Sequence, residues 1–360
     1  MKFIVNAPRF FVCFLIFVIF SNATSQTYFL DKSTASNNSK TLNFTSGIRS
    51  IYHDSKGHYW FGSHNQGVAL FDGKQFTYFT VENGLSHNQV RSIQEADDGS
   101  IWFGTGQGVS RFKNNEMNSY LLDKGVKNAI ASYPGVVNKS QNDYLWFNAG
   151  TKSGIYRLNN GGLNYLAFPV EKDNHAFQPC ATTDHHYSSN GDLWIATYTA
   201  VFKYNGLSFM MIDDKLLGYK VPSLHVRSIL EDSKGRVWIG NNGIGVLLKE
   251  GDSISHFSDD KGLIHGKSTR NGSPSPEGTL EHVFSIEEDS LGNIWFGDRD
   301  TGAWMYDGEK MINFDKKDGL SNNFAQIIYK DKHGGLWLGL ADGGVYLFNG
   351  ESFERKFVTK

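Results

Sequence analysis

One short phrase recurs along the chain and limits what it can fold into. It reads Asp54-Ser-Lys-Gly-His-Tyr-Trp-Phe-Gly62, Asp232-Ser-Lys-Gly-Arg-Val-Trp-Ile-Gly240, Asp289-Ser-Leu-Gly-Asn-Ile-Trp-Phe-Gly297 and Asp331-Lys-His-Gly-Gly-Leu-Trp-Leu-Gly339. Looser copies are Asp98-Gly-Ser-Ile-Trp-Phe-Gly104, Asn190-Gly-Asp-Leu-Trp-Ile-Ala196 and Asn142-Asp-Tyr-Leu-Trp-Phe-Asn148. The copies centre on Trp60, Trp102, Trp146, Trp194, Trp238, Trp295 and Trp337, spaced by 42, 44, 48, 44, 57 and 42 residues. A strand-rich repeat of that length is the signature of propeller blades.

The first unit shows all its parts. Ile48 to Tyr52 alternates as a strand, and Asp54-Ser-Lys-Gly57 is a turn with glycine where positive φ is expected. Strands follow at His58 to Gly62, Gly67 to Phe71 and Gln75 to Phe79, with Asp72-Gly73 marking a tight hairpin. Ile101-Trp-Phe, Val237-Trp-Ile and Leu336-Trp-Leu are continuous apolar runs, which a sheet with one wet face would not show. Both faces must be covered, as when blades stack around an axis. The prediction is an all-β fold, a single seven-bladed β-propeller of four-stranded antiparallel blades over residues 46–358. Its tryptophans then fill the spaces between blades, and Asp54, Asp232, Asp289 and Asp331 cap their own turns rather than bind calcium. The Gly-x-Gly fragments, such as Gly104-Thr-Gly-Gln-Gly108, precede no helix and imply no phosphate loop.

The ends and bulk properties narrow the setting. Lys2 and Arg9 precede an apolar run from Phe10 to Phe20, and Ala23-Thr24-Ser25 supplies small residues before Gln26. The run is too short to span a bilayer, so residues 1–25 read as a signal peptide and the protein as exported, periplasmic or secreted. Residues 26–45 form a mostly polar lead-in whose Thr41-Leu-Asn-Phe44 either joins the last blade to close the ring or covers its edge. With the leader removed, 33 basic residues face 37 acidic ones, which gives no basic footprint for nucleic acid. No membrane span is expected in the mature chain. One cysteine, Cys180, remains there, so no disulfide can staple the fold.

Function would be written in the loops that join second to third and fourth to first strands, which a propeller gathers on one face. Those loops offer His64, Asn65, His87, Lys152, Tyr198, Asn241, Asn242, Asp298, Arg299, Asn322 and Asp342. Amides, aromatics and mixed charges suit a small polar ligand such as an oligosaccharide, held by hydrogen bonds and ring stacking. Insertions fall at Glu171 to Ser189 and His265 to Leu280, both placed between a fourth and a first strand. The first holds His175, Cys180, Asp184, His185 and His186, but their spacing matches no zinc pattern, and neither metal nor cofactor is expected. Asp298-Arg299-Asp300 reads as a surface charge cluster rather than an acid/base set.

Val226-Arg-Ser-Ile-Leu-Glu-Asp-Ser-Lys-Gly-Arg-Val-Trp-Ile-Gly240 with Gly245-Val246, and Val90-Arg-Ser-Ile93 with Ile101-Trp-Phe-Gly-Thr105, resemble the two-component regulator propeller repeat. The resemblance extends over residues 46–358 and is weakest in units three and four. It implies the fold and the recognition role of the periplasmic sensor region of hybrid histidine kinases, many of which detect glycan fragments. Here a stand-alone ring without β-sandwich or kinase is expected, with no phosphotransfer of its own. The partner would be a small polar ligand or an envelope protein. Two alternatives stand beside this reading. One is a lyase like the seven-bladed streptogramin lyases, with His64 or His87 as general base; the other is a scaffold for protein assembly.

Overall fold

The computed structural model describes residues 25–29, 40–121, 144–150, 152–159, 162–170, 180–213, 224–266 and 274–358. Seven antiparallel sheets follow one another along the chain. The first blade comprises Ile48–His53, Tyr59–Ser63, Val68–Phe71 and Phe76–Phe79, and the fold is the predicted seven-bladed propeller. In six blades the whole four-strand unit is described; in the third, three strands are, Leu145–Asn148, Gly154–Asn159 and Gly162–Ala167. Blade two gains a fifth strand, since Ser25–Phe29 pairs antiparallel along its outer strand Glu116–Leu121. The leader expected over residues 1–25 otherwise lies outside the described residues.

The repeated phrase is a set of interlocking contacts. In blade five, Asp232 Oδ1 accepts the backbone N–H of Lys234 (3.0 Å) and Arg236 (2.9 Å), closing the turn. Its other oxygen accepts the indole N–H of Trp238 at 2.8 Å. Asp54, Asp289 and Asp331 hold Trp60, Trp295 and Trp337 in the same way. Where the phrase erodes, a different group takes the indole. Ser100 does so for Trp102, the Tyr187 hydroxyl for Trp146, and Glu231 of the next blade for Trp194.

Each tryptophan packs onto the following blade. Trp60 lies 5.5 Å from Phe103, Trp238 5.6 Å from Phe296 and Trp295 4.8 Å from Phe348, ring centre to ring centre. The buried apolar side chains accordingly divide into seven clusters, one per seam between blades. The glycine two residues after the tryptophan is needed for this approach. A Cβ on Gly62 would lie 2.8 Å from Val90 Cγ1, and one on Gly240 2.8 Å from Val283 Cγ1, both in the next blade. A polar belt adds to the seams. Ser55 donates to Glu95, Ser233 to Glu288, and Ser188 and Ser189 to Glu231, each carboxylate ending the inner strand of the following blade.

Two sequence expectations are corrected. The stretch 171–189 is not wholly an insertion, because Thr182–Tyr187 is the inner strand of blade four. Its Asp184, His185 and His186 break the apolar alternation that marks the other inner strands. Asp184 Oδ2 accepts Ile229 N–H of blade five at 3.1 Å, so its carboxylate bridges two inner strands. Burial raises Asp184 to about 6 and lowers His185 to about 4. Cys180 is buried beside Thr199, and His175 lies outside the described residues. The fourth strand of the last blade, which the sequence places at Ser352 to Val358, is also shorter. It spans Phe353–Arg355, and Phe357 turns away with φ of 58° to pack in the seam with blade one.

Residues 41–46 bridge the first and last blades. Leu42 N–H donates to Phe357 O at 3.0 Å, while Gln66 of blade one accepts from Thr45 and Ser46 N–H, both 2.8 Å. Phe44 is buried in the seam that also holds Ile48, Phe61 and Trp337.

Candidate binding site at the channel mouth

The inner strands of neighbouring blades contact one another around the axis. At the N-terminal end of each described inner strand the ladder slips by one residue, between Ile48 and Ser50, Val90 and Ser92, Thr182 and Asp184, Val226 and Ser228, Val283 and Ser285, and Ala325 and Ile327. A bulge leaves one residue out of the pairing and re-aims its side chain. The bulged residues are Arg49, Arg91, Thr183, Arg227, Phe284 and Gln326. They form a collar on the face where the second-to-third-strand loops emerge.

Three of the six are arginines, and they gather at the axis. Arg49 is lowered to about 10, by burial first and then by the charges of Arg91 and Arg227, although Arg227 stands three blades away around the ring. Burial likewise lowers Arg91 and Arg227. Tyr198, from the second-to-third loop of blade four, favours the charged form of all three. Arg227 is held between rings, its guanidinium 5.1 Å from the centre of Tyr198 and 4.7 Å from that of Phe284. Its Nε is buried without a hydrogen-bond partner. Arg91 Nε donates to Gln89 Oε1 at 2.9 Å, and Arg49 Nη1 to His64 Nδ1 at 3.2 Å. Because the arginine can only donate, His64 Nδ1 must accept. His64 is exposed, yet partial desolvation of its ring and then the charges of Arg49 and Arg91 lower it, which favours the neutral form. No described carboxylate forms an ion pair with any of the three arginines.

Beside this collar runs a second chain of contacts. The Tyr198 ring meets His225 edge-on at 4.9 Å, and His225 Nδ1 lies 3.4 Å from Asn242 Nδ2. Asn242 Oδ1 is 2.7 Å from Nδ1 of the buried His282, whose Nε2 is 3.9 Å from Asp300 Oδ2. Arg299 pairs with Asp300 at 2.8 Å. Burial, then the charge of Arg299, lowers His282.

The structure therefore sorts the loop residues expected from sequence. His64, Tyr198, Asn242 and, through Asp300, Arg299 belong to this network. Asp298 is buried, and its carboxylate accepts backbone N–H groups of Glu281, His282, Asp300 and Thr301. Burial raises it to about 6, and it organises its loop from within. Asn241 is buried and bonds Ile239 O. His87 accepts Gln89 N–H, Asn322 accepts Phe324 N–H, and Asp342 accepts Gly344 N–H, all capping their own turns. Lys152 is exposed over Tyr156 and Tyr165 in blade three, and Asn65 is exposed on the loop of blade one. Sequence reading missed Arg49, Arg91 and Arg227. Their signal was the repeated Arg-Ser-Ile, an arginine at the same place in three inner strands.

Comparison with known proteins gives the fold a context. Residues 84–107 and 220–243 match the family described as two component regulator propeller. No curated protein matches the chain. Among solved structures, the extracellular domain of a putative hybrid two component system from B. thetaiotaomicron aligns with TM-score 0.61 and 19% identity, over 91% of this chain and 41% of that one. Virginiamycin B lyase from Staphylococcus aureus aligns with TM-score 0.60 and 13% identity, over 89% and 97%. PorZ, a surface component of the type-IX secretion system of Porphyromonas gingivalis, aligns with TM-score 0.57 and 18% identity, over 84% and 46%. The chain thus spans about two fifths of the length of the sensor domain it matches. At these identities the likeness is one of fold. Blades two and five of this seven-bladed ring carry the two-component regulator propeller repeat.

Proposed function

We propose that the chain is an exported recognition module that binds a small polar ligand at the channel mouth, as the ligand-sensing part of a signalling system and without catalysis of its own. One observation carries the reading: arginines at the bulged positions of blades one, two and five converge on the axis with Tyr198 of blade four, and no described carboxylate pairs with them. Partly buried guanidinium groups without a described counter-charge, beside an aromatic hydroxyl, are the kind of convergent polar groups that fix a ligand in a pocket. The similarity to extracellular sensor domains agrees with this.

The test is calorimetric titration of the exported chain with a panel of neutral and acidic oligosaccharides. The expected result is saturable binding to at least one member, weakened about tenfold or more by Tyr198→Ala, equivalent to about 1.4 kcal/mol. Silence across the panel contradicts the reading. A lyase is the second reading: the fold is shared with virginiamycin B lyase, and the neutral His64, whose one lone pair is held by Arg49, would serve as general base once a substrate displaced that arginine. Product formation from a bound panel member, abolished by His64→Ala, would establish it instead.

A further inference from the structure

The channel mouth has a chemistry more specific than polarity. Arg49, Arg91 and Arg227 descend on one space from blades one, two and five, and each occupies the bulged position that turns its side chain out of the ladder. Arginine remains charged in proteins at neutral pH, so three positive charges share this space. Nothing described there neutralises them. Their described neighbours are the Tyr198 hydroxyl, the Gln89 amide, the His64 imidazole and two aromatic faces.

Three like charges brought out of water cost stability unless a counter-charge joins them. The fold nonetheless fixes them in place. Arg227 is clamped between Tyr198 and Phe284, Arg91 is oriented by Gln89, and Arg49 is oriented by His64. Such prior ordering lowers the cost of binding. Guanidinium groups are planar forks suited to two-point hydrogen bonding with oxyanions. The overall charge of the chain gives no hint of this, because 37 acidic residues offset the 35 basic ones.

We infer that the ligand bound at the channel mouth carries an oxyanion, a carboxylate or sulfate group, which sits between the guanidiniums of Arg49, Arg91 and Arg227 and accepts from the Tyr198 hydroxyl. This rests on the recognition reading above and adds the charge of the ligand to it. The hydroxyls of a sugar or similar polar body would then face the rim, where Asn242 and His64 lie. Carboxylate and sulfate share the required geometry, and the experiment separates them.

The test uses the exported chain with three probes, digalacturonate, inorganic sulfate and neutral galactobiose, at an ionic strength held constant with chloride. The expected result is that digalacturonate or sulfate binds and that Arg49→Gln, Arg91→Gln and Arg227→Gln each weaken it about tenfold or more, the usual scale for losing one charge-assisted contact. Binding of digalacturonate alone assigns a carboxylate; binding of sulfate alone assigns a sulfate ester. A second readout guards against misfolding. Relieving like-charge crowding should leave the melting temperature of each ligand-free variant unchanged or raised, whereas a fall of several degrees would assign these arginines a structural role and overturn the inference. Galactobiose bound equally by the parent and all three variants, yet lost on Tyr198→Ala, would overturn the anion assignment and leave the recognition reading standing. Failure of both anionic probes to bind the parent also overturns it.

Discussion

Asp232→Ala is expected to destabilise the protein by about 3–5 kcal/mol, the range for removing one partner from a buried charged network. The carboxylate is fully buried and accepts four hydrogen bonds, two from its own turn, one from the Trp238 indole and one from Arg236 Nε at 2.6 Å. Alanine strands those donors away from water, and each orphaned donor carries a penalty. It also frees Trp238, which fills the seam against Phe296 and Phe257. Asp232→Asn should lose less. Its amide oxygen can still serve the two backbone donors, while its NH2 faces the indole and Arg236, which are donors themselves. Urea unfolding read by tryptophan fluorescence checks this. A loss below about 1 kcal/mol for alanine would mean that the phrase is not the device that fixes the tryptophan.

Phe44→Ala is expected to cost a similar amount, about 3–5 kcal/mol, the range for emptying a buried phenylalanine site. A propeller must join its last blade to its first, and here the joint is made by a segment that precedes the ring in sequence. A Cβ on Gly343 of the last blade would meet Phe44 O at 2.2 Å. The matching glycines of blades one and six, Gly67 and Gly302, stand equally close to Phe79 O and Phe314 O at the ends of their own outer strands. Phe44 therefore occupies, for blade seven, the place that Phe79 and Phe314 hold in theirs. Its ring meets Tyr78 edge-on at 5.6 Å, and Tyr78 Oη accepts Asn43 N–H at 2.8 Å. If the segment merely covered an edge, the same substitution would cost less than about 1 kcal/mol and the ring would open no more readily to proteolysis.

These two sites show what could be read from sequence and what could not. The number of blades and the packing role of the tryptophans were legible because the seams repeat the same contacts. Asp, Gly, Trp and Gly recur since every blade must close its turn, orient an indole and admit its neighbour. Blade four hid its inner strand because Thr182–Tyr187 trades apolar side chains for Asp184, His185 and His186, of which Asp184 serves the neighbouring blade. The ring closure was ambiguous because it depends on a contact between residues some three hundred positions apart. The binding site was half visible. Loop residues such as Tyr198 and Asn242 stood out as polar groups in the right loops, yet chemistry alone did not separate them from Asp298 or Asn241, which point inward and hold the loops. The arginines were concealed by their position within strands, where a polar residue normally marks the wet face of a sheet. In a propeller the inner end of that face is the channel.

The most direct measurement is a crystal structure of the protein with a ligand from the titration panel. Ligand density is expected at the axis on the loop face, within hydrogen-bonding distance of Tyr198 and at least two of Arg49, Arg91 and Arg227, with the blades unmoved. Density on the opposite face, for instance in the aromatic pocket between blades three and four that Tyr144, Trp146, Arg157 and Tyr204 line, with the channel mouth empty, would contradict it.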